Sequence, residues 1–210
     1  HTVEIFRHGI RSIIPGTIAL LSGPGCPVCV TSIRDVDAAI SIAKEPNTVL
    51  VTFGDMMRVP GGRQSLMEAR SEGADVRVMY SPMDALKLAQ EHGSKQVVFF
   101  ATGFETTSPL IAGTVFAAFK QHIKNFTILS SHKTVPLALK ALLDAPDVRV
   151  DGFILPGHVS TIIGLAPYDF VAKDYRKPAV VTGFEAREII EGILMIVRQI
   201  AKGEAKVENA

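Results

Sequence analysis

Short apolar runs alternate along this chain with longer stretches in which apolar residues recur every three or four positions. The short runs lack polar alternation, which is typical of parallel strands that are buried on both faces. They predict strands at residues 17–21, 48–52, 76–80, 96–101, 125–129, 152–155 and 179–182. The periodic stretches predict helices at residues 3–14, 32–44, 63–72, 82–92, 106–121, 135–143 and 186–202.

This order of strands and helices predicts an α/β fold with parallel sheets flanked by helices. Two similar lobes are indicated by a near-repeat, Ala-Thr-Gly-Phe-Glu-Thr at 101–106 and Val-Thr-Gly-Phe-Glu-Ala at 181–186. We assign residues 1–120 to the first lobe, with an N-terminal helix and a cysteine loop. Residues 121–210 form the second lobe, with a long C-terminal helix and a polar tail that we expect to fray.

Charge and hydropathy narrow the choice of partners. The 22 Lys and Arg residues nearly balance the 21 Asp and Glu residues, so a basic face for nucleic acid is not expected. No uncharged apolar run reaches the ~18 residues that cross a bilayer, so we expect no membrane association. The N-terminus lacks the pattern of a signal peptide, and a cytoplasmic location is the default expectation.

The sharpest chemical signal is Ser22-Gly-Pro-Gly-Cys-Pro-Val-Cys29, which lies between a predicted strand and a predicted helix. Thiols at positions i and i+3 can close a small disulfide ring, and a helix start stabilises the reactive thiolate. The spacing therefore predicts a redox-active pair, Cys26 and Cys29. A pair of buried, inert thiols is the alternative, whereas a zinc site would need ligands that no second C-x-x-C supplies.

Three further loops follow predicted strands, where α/β proteins place their sites. Asp55 and Arg58 either face a ligand or partner, or pair with each other inside an ordinary loop. The segment 102–107 opens a helix, whose amides bind an anion unless its glutamate serves as the cap. His158 suits a base, a proton donor, a metal ligand or a structural role, and His132 is ambiguous in the same way.

Four motifs occur in order: Ser-Gly-Pro-Gly-Cys-Pro-Val-Cys, Phe-Gly-Asp-Met-Met-Arg-Val-Pro, Thr-Gly-Phe-Glu-Thr-Thr and Pro-Gly-His-Val-Ser. Together they closely resemble the HypD family of hydrogenase formation proteins, over nearly the whole chain. The resemblance implies two α/β lobes and a third region with a [4Fe-4S] cluster. It also implies a scaffold that builds the Fe(CN)2CO unit of [NiFe]-hydrogenases with the small chaperone HypC and with HypE, which presents cyanide as a thiocyanate.

The same resemblance assigns roles to individual residues. Cys26 and Cys29 match the redox-active dithiol of the family. His1 and Thr2 match the end of its Cys-Gly-Gly-His-Thr motif, whose Cys is an expected iron ligand and would precede His1. The remaining matches line the central cleft of the family, where ligands are assembled on iron; they are Asp55, Arg58, Glu105, Thr106, Thr107 and His158.

The chain departs from the family in its cysteines. A typical [4Fe-4S] cluster needs four thiolates, and no Cys follows Cys29. We therefore expect a truncated chain that lacks the N-terminal Cys and the iron–sulfur region, and that contains no certain metal ligand. Its expected cofactor is iron carrying CN and CO, held transiently with the chaperone. Its expected role is that of a maturation factor with thiol redox activity rather than a stand-alone enzyme, and a general cytosolic dithiol/disulfide oxidoreductase is the alternative.

Overall fold

Two parallel β-sheets flanked by helices make up the computed structural model, which describes all residues from 1 to 210. The predicted α/β class is confirmed. The strands are β1 (Thr48–Thr52), β2 (Val76–Val78), β3 (Gln96–Ala101), β4 (Phe126–Ser130), β5 (Phe153–Pro156), β6 (Ala179–Thr182) and β7 (Val207–Asn209). The helices are α1 (Thr2–Arg7), α2 (Ile10–Ile13), α3 (Ile33–Ala43), α4 (Leu66–Ser71), α5 (Pro82–Glu91), α6 (Ser108–Lys120), α7 (Val135–Leu143), α8 (Gly157–Ile163), α9 (Asp169–Lys173) and α10 (Ala186–Lys202).

The chain divides into two compact units. Residues 26–133 form one, which we call the dithiol unit, and residues 1–25 with 134–210 form the other, the terminal unit. These units differ from the predicted lobes, 1–120 and 121–210, in two ways. Strand β4 pairs with β3 and so belongs to the first sheet, and helix α1 packs on α10 in the terminal unit.

The dithiol unit has three layers around a sheet of order β2-β1-β3-β4. Successive residues of a strand point to opposite faces. Val49, Val51 and Phe99 accordingly pack against α5 and α6, whereas Leu50 and Phe100 pack against α3 and α4. All five side chains are buried, which explains why these strands read as continuous apolar runs.

The terminal unit is built on a smaller parallel sheet of order β5-β6-β7. One of its apolar clusters joins Ile5 and Ile10 to Ile189 and Ile193 of α10. Another buries Tyr168 completely against α7 and α9. Strand β7 corrects the prediction of a frayed tail, because residues 207–209 pair in register with β6. This segment is polar, so its hydrophobic pattern does not predict a strand, and the strand forms by pairing with β6.

Two further predictions were wrong near the N-terminus. Residues 17–21 form no strand; Ile18 and Leu20 of this run pack onto the cluster around α10 instead. The predicted helix 3–14 is broken into α1 and α2, because Gly9 adopts a left-handed conformation with φ of 60°. Glycine reaches this region without steric cost, and so it ends the first helix.

Two glycines inside helices should respond oppositely to alanine. A Cβ at Gly192 of α10 would overlap the Cγ2 atom of buried Thr182 on β6, whereas a Cβ at Gly113 of α6 meets nothing within 4 Å. Alanine favours a helix by about 1 kcal/mol over glycine, and overpacking costs about 1–3 kcal/mol. We expect Gly192→Ala to lower the free energy of unfolding and Gly113→Ala to raise it, as measured by urea denaturation. Stabilisation by both substitutions would contradict the close helix–strand contact.

Candidate functional site

The two thiols lie against each other in a turn at the start of the dithiol unit. The Cys29 thiol donates to the Sγ atom of Cys26 at 2.8 Å, and the Cys29 amide donates to the same sulfur at 3.3 Å. The turn is closed by the Thr31 hydroxyl, which donates to the Pro27 carbonyl at 2.9 Å. Cys26 is half-buried and Cys29 is exposed, and neither is in a disulfide. The thiols are therefore not a buried pair.

This geometry makes the two thiols chemically unequal. The hydrogen bond from the Cys29 thiol lowers the pKa of Cys26, and backbone amides of Cys29 and Val28 add to this effect. Partial burial and the negative charge of Asp55 oppose it. The pKa of Cys29 is raised, chiefly because its proton is held by Cys26. The thiolate is the reactive form of cysteine, so this geometry favours Cys26 over Cys29 for nucleophilic attack.

The segment after β1 forms a short 3₁₀ turn, Gly54–Arg58. Met56 and Met57 are buried in the core, and Asp55 and Arg58 are exposed. No ion pair joins Asp55 to Arg58, which removes the interpretation of a loop held by that pair. The methionines therefore anchor the turn, and its two charged side chains face outward.

The two threonines in the segment after β3, Thr106 and Thr107, differ in exposure and in contacts. Thr107 is half-buried, and its hydroxyl lies 3.0 Å from the Nε2 atom of His132, which follows β4. Thr106 is exposed, and Glu105 is buried. The helix begins at Ser108, with Thr107 as its N-cap but without a side-chain capping bond. His132, whose role the sequence left open, thus contacts Thr107. In the sequence, only its position after a predicted strand marked it as a candidate site residue.

In the terminal unit, two histidines contact one aromatic ring. The ring centroids of His1 and His158 are each 4.7 Å from that of Phe184. The Nε2 atom of His1 also lies 2.9 Å from the Thr182 hydroxyl and 3.0 Å from the Gly183 carbonyl. Thr2 is placed nearby on α1, with its hydroxyl 3.2 Å from that of Ser22.

An open depression of about 700 Å³ lies beside these rings. Its lining includes Glu4, His8, His158 and the segment from Gly183 to Glu188. No three His, Cys, Asp or Glu side chains converge on a point where they could hold a metal ion. The two thiols of the chain also cannot supply the four thiolates of a typical [4Fe-4S] cluster.

The candidate residues thus form two groups. The dithiol unit contains Cys26, Cys29, Asp55, Arg58, Glu105, Thr106 and Thr107, and the terminal unit contains His1, Thr2 and His158. Sequence reasoning missed Phe184 and Asp35. The first lies in the repeated Thr-Gly-Phe-Glu turn, and the second is three residues after the capping Ser32. Both positions were visible in the sequence, but their contacts with other segments were not.

The fold and these contacts define an α/β protein with two thiols in hydrogen-bond contact and a histidine–aromatic cluster. Sequence comparison gives the family: the model of the HypD family, described as "Hydrogenase formation hypA family", matches residues 1–210. The hydrogenase maturation factor HypD of Rhodobacter capsulatus is 50% identical over 209 residues, and that of Escherichia coli (strain K12) is 46% identical over 209 residues. The hydrogenase expression/formation protein HupD of Azotobacter chroococcum mcd 1 is 49% identical over 215 residues. The chain belongs to the HypD family of hydrogenase maturation factors.

These matches cover 100% of this chain but only 55–57% of the length of the three relatives. The chain thus spans a little more than half of the proteins that it resembles. No helix in the structure combines the length and apolar character that crossing a membrane requires.

The unequal thiols lead to a prediction about alkylation. Because the pKa of Cys26 is lowered, its thiolate forms at a lower pH than that of an ordinary cysteine, which titrates near ~8.5. We expect iodoacetamide at pH 7 to modify Cys26 before Cys29, as read by peptide mass mapping. Cys29→Ala removes the thiol donor, and we expect it to slow modification of Cys26 by about 3–10-fold. Faster labelling of Cys29 in the unaltered chain would contradict this assignment.

His132 gives a second pH-dependent signal. Burial lowers the pKa of His132 below its usual 6.5, although a hydrogen bond with the Ala101 backbone opposes the shift. The imidazole of His132 therefore binds a proton more readily in the unfolded chain than in the folded one. As a result, the free energy of unfolding decreases as the pH falls below about 6.5. We expect the imidazole to titrate below 6.5 in NMR spectra. His132→Gln should flatten the pH dependence of unfolding in this range, and an unchanged slope would contradict the assignment.

Proposed function

We propose that this chain is the core of a scaffold that assembles the Fe(CN)2CO unit of [NiFe]-hydrogenases. Membership of the HypD family, and the name hydrogenase maturation factor given to its relatives, support this role. The observation that carries the chemical part is the hydrogen bond from the Cys29 thiol to the Cys26 sulfur, because it prepares one nucleophile and one proton donor. The iron is cargo, and a HypC-type chaperone shares in holding it.

In this proposal the dithiol supplies two electrons for the release of cyanide. The Cys26 thiolate attacks the sulfur of the thiocyanate on a HypE-type donor; the S–C bond breaks, and cyanide leaves with its electron pair. A mixed disulfide now joins Cys26 to the donor. Cys29 loses its proton and attacks the Cys26 sulfur, which closes the Cys26–Cys29 disulfide and releases the donor thiolate. The dithiol is oxidised by two electrons, and the thiocyanate is reduced to cyanide and a thiolate.

The other candidate residues receive assembly roles. Asp55 is the carboxylate whose charge acts on Cys26, and so it moderates the acidity of the nucleophile. His158 lies against Phe184 beside the open depression, where a proton donor or acceptor would face solvent. We also assign a role in assembling the ligands on iron to the remaining motif residues, which are His1, Thr2, Arg58, Glu105, Thr106 and Thr107. These roles follow from the motifs of the family and from the positions described above.

A single-turnover experiment tests the dithiol step directly. The reduced chain is mixed with a small alkyl thiocyanate, and released cyanide is measured beside the intact mass of the protein. We expect one cyanide per chain and the loss of two hydrogen atoms by the protein, because one disulfide forms for each cyanide released. Cys26→Ser should abolish both signals. Cys29→Ser should release cyanide but remain as the mixed disulfide, since it lacks the second thiol.

The biological role is tested in a host that depends on its HypD protein. Cys26→Ser in the full-length protein should abolish hydrogenase maturation, and normal maturation would overturn the assembly role of the dithiol. Rapid reduction of model disulfides, without cyanide release from thiocyanate, would instead favour the general dithiol/disulfide oxidoreductase.

A further inference from the structure

The loop that carries the dithiol is held mainly by the helix that follows it. Gly23 and Gly25, at the start of the loop, have open space where a side chain would lie. Val28 packs against the edge of an apolar cluster. The other hydrogen bonds described for residues 26–35 join residues three or four positions apart, whereas Asp35 also bonds to a distant segment. Asp35 therefore gives this segment a polar attachment to the rest of its unit.

Asp35 lies in the first turn of α3 and contacts the segment that follows β4. Its carboxylate accepts from the Ser131 hydroxyl at 2.5 Å and from the Lys133 ammonium at 3.3 Å. Ser131 is buried, and Asp35 and Lys133 are half-buried. These bonds join residues 96 and 98 positions apart in the sequence. We call this set of contacts the Asp35 clamp.

The negative charge of Asp35 strengthens the bonds of the Asp35 clamp. The hydrogen bond from Ser131 is the main cause that lowers the pKa of Asp35, so the carboxylate is ionised at neutral pH. Ser32 caps the same turn by accepting from the Asp35 amide at 3.1 Å. Charge-assisted bonds of this kind are stronger than bonds between neutral groups. The start of α3 is thus bonded both to its own cap and to the segment that follows β4.

Resting on the proposed dithiol function, we propose that Asp35 is the positioning residue of the thiol pair. By fixing the first turn of α3 to Ser131 and Lys133, it keeps Cys29 in hydrogen-bonding reach of Cys26. The 2.8 Å contact between the sulfurs depends on the exact course of a short turn whose far end enters α3. Release of that end weakens the bond that makes Cys26 the more acidic thiol.

Thiol acidity gives a readout that a purely structural role would not move. The variants Asp35→Ala, Asp35→Asn and Ser131→Ala are alkylated over a range of pH, and the midpoint for Cys26 is determined. We expect Asp35→Ala to raise this midpoint by about 0.5–1 pH unit, which slows alkylation at pH 7 by about 3–10-fold. Asp35→Asn still accepts from Ser131 but loses the ion pair with Lys133, so its midpoint should lie between those of Asp35→Ala and the unaltered chain. Ser131→Ala should shift the midpoint in the same direction as Asp35→Ala, by a smaller amount.

Asp37 offers a matched control on the same helix. It is half-buried like Asp35, and its carboxylate accepts from the Gly62 amide at 2.8 Å. Asp37→Ala therefore also removes a carboxylate that ties α3 to another segment, but one that lies further from the thiols in the sequence. We expect its thiol midpoint to match that of the unaltered chain. An equal shift in Asp37→Ala and Asp35→Ala would overturn the proposal, because the effect would then reflect general loosening of α3.

The disulfide equilibrium provides a second measurement. A less acidic Cys26 stabilises the reduced form less at pH 7, so Asp35→Ala should contain more disulfide than the unaltered chain in the same glutathione buffer. Unchanged midpoints and disulfide fractions in folded Asp35→Ala would overturn the proposal. If Asp35→Ala does not fold, an unshifted Ser131→Ala overturns it instead. None of these readouts uses thiocyanate, so absence of cyanide release would refute the proposed function and leave the positioning role standing.

Discussion

Parallel strand pairing is the constraint on which the dithiol unit depends. Parallel strands need a crossover between them, and this brings their carboxyl ends to one edge of the sheet. Asp55 follows β1, Thr107 follows β3 and His132 follows β4, so these three residues lie beyond the same edge of the sheet. The contact between Thr107 and His132, across 25 positions of the sequence, is a direct result. Helices cover both faces of this sheet.

The short turn before α3 gives two identical side chains different surroundings. Cys26 and Cys29 share one short turn, yet one sulfur accepts the bond and the other keeps the proton. The difference in pKa comes from this single proton and from the backbone amides that also face Cys26. A turn held firmly at its end is needed for such a contact, which connects the acidity of the thiols to the packing of α3.

The repeated Thr-Gly-Phe-Glu turn shows how similar sequences serve different surroundings. A side chain at Gly103 would overlap Thr107 and approach His132, and a side chain at Gly183 would overlap Glu188. A side chain at position 103 would displace Thr107 and His132, whereas one at position 183 would displace only the carboxylate end of Glu188. Near each turn a histidine from a distant part of the chain approaches a threonine hydroxyl, His132 in the dithiol unit and His1 in the terminal unit.

The sequence by itself determined the α/β class, six of the seven strands and the closeness of the two cysteines. Continuous apolar runs and the spacing of two cysteines are local properties, which the amino-acid pattern records directly. The pattern gave a wrong prediction for residues 17–21, whose apolar side chains pack against the cluster around α10. It also missed residues 207–209, which form a strand beside β6. Only the tertiary structure decided which thiol is acidic and which residues support it. The reason is physical: Asp35 and Ser131 are 96 positions apart, and nothing short of the folded sheet brings them together.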